Sequence, residues 1–241
     1  MLDLSSESQN LTQMDIKSLW HPMVQHKKYE RNPPKRMDKA EGCYVTDAEG
    51  KQYLDGVSGL WCVNVGYGRK ELAKGITSGY LTLSATVTQR HIFEAFQDET
   101  DPTSHFRHIN TYGGNPASTA LSLKNIAIIE TEQLANQAAK MGAYLRAELS
   151  AIEEHPWVGD IRSKGLLIGI ELAADKQTKE PLAAQKVGAV VSRCLELGTI
   201  IGRNGSTIPG LSNVLIIAPP LILTKADADL IIDNLKQALD S

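Results

Sequence analysis

The longest periodic stretch of this chain constrains it most. From about Ala117 to Ile152, apolar residues recur at helical spacing. Ala120, Leu123, Ile126 and Ala127 come first; Leu134, Met141, Leu145 and Leu149 follow. Positions three and four apart share one helix face, so the run predicts a long amphipathic helix. The polar stretch Glu130–Gln133 predicts a break within it. Asn110-Thr111-Tyr112-Gly113-Gly114-Asn115-Pro116, a glycine-bearing turn, opens the run.

What flanks this helix alternates instead. Gly42–Thr46 and Lys51–Asp55 have strand periodicity around the turn Asp47-Ala48-Glu49-Gly50, which predicts a β-hairpin over 41–56. Leu81–Thr88 reads as a strand and Arg90–Phe96 as a short helix. Beyond the long helix, strands are predicted at Val158–Arg162, Leu166–Leu172 and Thr199–Arg203, and Asn213–Ile217 leads into Ala218-Pro219-Pro220-Leu221. Helices are predicted at Ala183–Leu197, ended by Gly198, and at Lys225–Leu239. Asp227 and Asp229 near the start of the last helix suit its dipole. Residues 155–241 thus read as a small α+β domain, about three strands with helices on one face.

Two stretches invite chemistry. Gly56–Gly68 mixes four glycines with Trp61 and Tyr67, a composition that lets backbone and rings crowd a flat ligand. A buried loop around a core tryptophan is the plainer reading. Lys74-Gly75-Ile76-Thr77-Ser78-Gly79-Tyr80 sets one lysine beside two glycines, as an imine-forming amine on a tight turn requires. The same residues also suit an ordinary helix end, with a cation in the last turn and Gly75 after it.

Composition narrows the rest. Of 241 residues, 42% are hydrophobic and 22% charged, as in an ordinary globular protein. The net charge of −3 disfavours a nucleic-acid or membrane-surface role. No apolar run approaches the ~20 residues of a membrane span. The N-terminus lacks the basic and apolar regions of a secretory signal. Three separated cysteines, Cys43, Cys62 and Cys194, make neither a zinc box nor a disulfide framework, which points to a cytoplasmic setting. The spacing of His21 and His26 suits no metal site.

Taken in order, several pieces resemble the class III (ω-amino acid) pyridoxal-phosphate aminotransferases. They are Leu19-Trp20-His21-Pro22-Met23, Gly42–Gly68, Lys74–Tyr80, Thr111–Pro116, Gly165–Glu171 and Ile200–Pro220. Gly202-Arg203-Asn204-Gly205 is most similar to the branch that moves amines, taurine among them, to pyruvate. The resemblance implies that Lys74 holds pyridoxal 5'-phosphate as an imine. It implies that Thr111 reaches the cofactor phosphate across a homodimer interface, that Trp61 walls the substrate site, and that Arg203 pairs with the keto acid carboxylate. Taken singly, these residues also read as a turn threonine, a core tryptophan and a surface arginine. Relatives of the family also include aminomutases and racemases, which need no keto acid acceptor.

The same resemblance exposes a gap. In the family a long segment separates the counterpart of Arg69-Lys70-Glu71-Leu72 from that of Lys74; here Ala73 alone stands between them. That segment carries most of the main parallel sheet, the phosphate cradle, the ring-stacking aromatic and the acid on the ring nitrogen. No glycine-rich turn between a strand and a helix, and no βαβ series, replaces it. The expected fold is therefore an α/β, fold-type I transferase reduced to an α+β remnant. Residues 1–40 form an N-terminal segment, 41–154 a remnant of the large domain with its connecting helix, and 155–241 the small domain. The expected function is amine transfer to pyruvate, or else a catalytically inactive piece with a structural or dimerising role.

Overall fold

The computed structural model describes residues 13–14, 35–69, 88–96, 115–205 and 211–241. The expected strand at 81–88 falls almost wholly outside them, as do Lys74, Thr111, His21 and His26. The chain divides into two compact units, one of residues 1–68 with 135–241, the other of residues 69–134. The hairpin thus belongs to the unit that holds 155–241, so compactness cuts the chain elsewhere than descent, with its boundaries at 41 and 155, would.

The first unit begins with β1 (Met37–Glu41), β2 (Tyr44–Asp47) and β3 (Gln52–Asp55), an antiparallel meander. The β2–β3 turn uses Gly50 in the left-handed region. Asp47 organises that turn. Its Oδ1 accepts from the backbone N–H of Glu49 and of Lys51, and its Oδ2 from the Tyr53 hydroxyl. A single helical turn, α1 (Ser58–Trp61), follows.

The second unit contributes α2 (Arg90–Glu94) and α3 (Pro116–Thr131). Asn115 caps α3, its side chain accepting from the N–H of Ala117 and Ser118, and Pro116 takes the first helical position, where no N–H is needed. α3 stops where the sequence predicts a break. Gln133 has φ +52°, which no right-handed helix accommodates, and α4 (Leu134–Glu148) starts one residue later.

In the first unit α4 runs into a 3-10 turn (Leu149–Ile152) and then into β4 (Val158–Lys164) and β5 (Leu167–Asp175). The short β6 (Glu180–Pro181) pairs with β5. After α5 (Ala184–Glu196), the expected strand 199–203 is two strands. β7 (Thr199–Ile200) runs parallel to β3, while β8 (Gly202–Arg203) pairs with β9 (Val214–Ile217). Two-residue pairings on opposite edges leave Ile201 as the pivot, buried at 5% exposure. The two sheets are therefore β1-β2-β3-β7 and β4-β5-β9-β8. α6 (Lys225–Leu239) closes the chain.

Alternation builds the core. On β5, Ile168, Ile170 and Leu172 are fully buried while Leu167 is exposed, so one sheet face is apolar. Against it pack Leu145 and Leu149, then Val187, Val190 and Cys194 of α5, and Ile231, Ile232 and Leu235 of α6. Each such aliphatic side chain contributes about 1.5–3 kcal/mol by leaving water. The hairpin is tied to this core through Asp227. That residue completes a capping box with Thr224 at the start of α6 and accepts the Tyr44 hydroxyl on its other oxygen. The sequence reading assigned Asp227 to the helix dipole alone.

One close approach sets the position of α4. A Cβ at Gly142 would lie 2.2 Å from the carbonyl oxygen of Gly165, in the β4–β5 turn. Gly142→Ala therefore forces helix and turn apart, at a cost of about 1–3 kcal/mol. Thermal unfolding followed by circular dichroism should show a midpoint lower by several degrees. Gly205→Ala, where a Cβ meets nothing within 4 Å, should leave the midpoint unchanged.

Acid should undo the hairpin turn. Burial pushes the Asp47 carboxyl up, but the bonds from Tyr53, Lys51 and Glu49 and the charge of Lys35 together hold it below its ordinary value of 3.8. Such a group contributes stability above its unfolded value, and that contribution is lost as pH falls through the lowered one. Urea unfolding between pH 6 and pH 2 should show this increment disappearing below about pH 4, and Asp47→Asn should abolish it.

Candidate functional site

The described part of the site rests on a backbone wound the wrong way. Ser58, Gly59 and Trp61 have φ of +50°, +54° and +66°. Left-handed winding costs an L-residue roughly 1–2 kcal/mol, and only glycine escapes it. Three anchors hold the turn nonetheless. Buried Asp55 accepts from Val57 N–H on one oxygen and from Gly59 N–H and the Tyr67 hydroxyl on the other. Ser58 Oγ donates to the Ala218 carbonyl at 2.6 Å. Gly56 N–H donates to Ile200 O at 2.9 Å, and Ala218 N–H to Gly56 O at 2.7 Å. Strain held in place by so many bonds is a usual mark of a functional segment.

These anchors turn Trp61 outward, with 56% of its surface exposed. The core-tryptophan reading is thereby corrected. The ring is displayed because its own backbone, left-handed and fastened at both sides, cannot turn it inward. No periodicity announces such a turn; the only signal was the cluster of glycines around Ser58 and Trp61.

The same bonds bring the segment that carries Trp61 beside the strand that carries Arg203. Val57 packs against Gly202, where a Cβ would meet its Cγ1 at 3.2 Å. Arg203, next in β8, is exposed, and its Nη1 donates to the Ala184 carbonyl at 3.2 Å along the first turn of α5. Asn204 fixes the strand end. Its backbone N–H donates to Val214 O, its side chain accepts from Val214 N–H, and its amide donates to Leu211 O. Among the described residues that carbonyl is its one partner, and a guanidinium so held keeps most of its donors for a planar acid. Lys74 and Thr111 lie outside the described residues; of the four expected site residues, Trp61 and Arg203 are described.

Burial pushes the Cys43 and Cys194 thiols up to about 12, aided at Cys43 by the charges of Asp227 and Asp55, which removes both as nucleophiles at neutral pH.

Pyridoxal phosphate also needs a carboxylate for its ring nitrogen. Three aspartates are buried among the described residues: Asp47, Asp55 and Asp227. Both oxygens of each are already taken by protein donors. The buried acids of the described residues therefore do not fit that part of the cofactor.

Comparison with known proteins accords with this picture. The family model described as aminotransferase class-III matches residues 70–239. An uncharacterised aminotransferase of Bacillus subtilis, YhxA, is 54% identical over 170 residues, which are 70% of this chain and 38% of that protein. A taurine–pyruvate aminotransferase of Rhodobacter capsulatus is 44% identical over 190 residues, 76% of this chain and 41% of the relative. The crystal structure of a Bacillus anthracis aminotransferase superposes with a TM-score of 0.85 at 26% identity, covering 98% of this chain and 99% of that one. An omega-transaminase of Thermomicrobium roseum shares the fold, with a TM-score of 0.76 at 18% identity over 97% of this chain and 98% of its own. The chain spans about two fifths of the curated relatives it matches. No described helix is long and apolar enough to cross a membrane. With a mixed α/β fold like that of the solved transaminases and a family match over most of its length, the chain belongs to the class-III aminotransferases.

Proposed function

We propose that this chain derives from a pyridoxal-phosphate transaminase that passes the amino group of an ω-amine, taurine or a similar donor, to pyruvate. The observation that carries this reading is its likeness to taurine–pyruvate aminotransferases at 40–44% identity. In it Lys74 holds the cofactor, Thr111 contacts the phosphate, Trp61 walls the substrate site and Arg203 takes the keto acid carboxylate, within a homodimer. The exposed ring of Trp61 and the donors of Arg203 that no described residue takes support those two roles.

The second reading, a chain that does not catalyse the reaction alone, is favoured by the fully engaged aspartates. Without an acid at the ring nitrogen the cofactor loses its strength as an electron sink. Adding pyridoxal phosphate to the purified chain should give at most a weak imine absorbance, absent in Lys74→Ala. Alanine formation from taurine and pyruvate should stay at background. Robust turnover that disappears in Lys74→Ala would show the central segment to be dispensable.

The role given to Trp61 has its own test. A core tryptophan costs about 3–5 kcal/mol when truncated. Trp61→Gly should instead stay within about 0.5–1 kcal/mol of the parent in urea unfolding, because glycine relieves the left-handed φ at a largely exposed site.

A further inference from the structure

Arg203 is seated against a helix beside a residue that has no side chain. Its Nη1 donates to the Ala184 carbonyl at 3.2 Å. That carbonyl lies in the first turn of α5, one turn before Gly188, and α-helical bonding already gives it the Gly188 N–H. A carbonyl oxygen has two lone pairs, so it can take a second donor where nothing covers it. In a helix the side chain four residues on does cover it, because side chains lean back over the preceding turn. At Gly188 that cover is missing.

Nothing else about α5 asks for a glycine there. Glycine inside a helix is destabilising relative to alanine. Gly188 is not among the residues with positive φ. Outside its chain neighbours and the helix backbone, an added Cβ would meet one described atom within 4 Å, Arg203 Nη1 at 3.4 Å. A methyl group would thus touch the guanidinium without displacing it, and a longer side chain would take its place over Ala184. On the strand side, Asn204 fixes the backbone that carries Arg203 through its bonds to Val214.

We propose that Gly188 is a positioning residue: by leaving the Ala184 carbonyl open, it docks one end of the Arg203 guanidinium on α5 and so holds the remaining donors in place for a substrate carboxylate. The carboxylate rests on the keto acid reading of Arg203 given above; the seat on α5 does not. The probe is pyruvate, titrated into the purified full chain carrying isotope-labelled arginine, with the Arg203 Nε–H resonance identified by its loss in Arg203→Lys. Gly188→Ala should keep the resonance in place and pyruvate affinity within about twofold, and should raise the thermal midpoint. Gly188→Leu, also a good helix former, should shift the resonance before pyruvate is added. It should weaken pyruvate about fivefold, because binding must then order a side chain no longer held. Pyruvamide, which lacks the carboxylate, should not move the resonance in any variant. Should Gly188→Leu lower the midpoint, Gly188→Met replaces it with the same expectations. An unmoved resonance in the long-chain variant overturns the proposal, and so does a shifted resonance with unchanged pyruvate affinity. A parent resonance that ignores pyruvate yet shifts in Gly188→Leu overturns the keto acid reading of Arg203 and supports the seat.

Discussion

Five residues, Thr199 to Arg203, belong to two sheets at once, and the first unit depends on that crossing. Thr199 and Ile200 finish the hairpin sheet beside β3. Gly202 and Arg203 begin the edge of the other sheet beside β9. Ile201 between them is buried, so the crossing is also a core contact. Everything that positions the described site hangs from it. Gly56 is bonded to Ile200, Val57 rests on Gly202, and the direction of Arg203 follows from β8. Short pairings are individually weak, and here buried Thr199 and Ile201 fasten them to the core.

Much of this was legible in the sequence, for identifiable reasons. The hairpin and the last two helices carry their own periodicity and their own stops, so local rules suffice for them. The break in the long helix was legible because Glu132 and Gln133 interrupt the apolar rhythm. The division of 199–203 was not legible, since both halves have strand character and only their partners distinguish them. Asp227 was half read: a helix-start acid is a local fact, but its bond to Tyr44 spans 183 positions.

The site was legible by a different route. No local rule singles out Trp61 or Arg203; an ordered likeness to a family did. The exposure of Trp61 could not be read from its neighbours, because aromatic residues among glycines usually mark a core. Among the described residues every buried aspartate has protein donors on both oxygens, while Phe93 of α2 and Leu123 of α3 are exposed.

The left-handed turn at Ser58–Trp61 also sets a limit on how this chain can change. A right-handed helix can grow by a residue at almost no cost, but a left-handed one adds its penalty with every L-residue. The span from Asp55 to Tyr67, closed by a hydroxyl–carboxylate bond of 2.7 Å, therefore acts as a caliper of fixed opening. An insertion into this segment would break that closure, so change there falls on the identity of side chains rather than on the length of the loop.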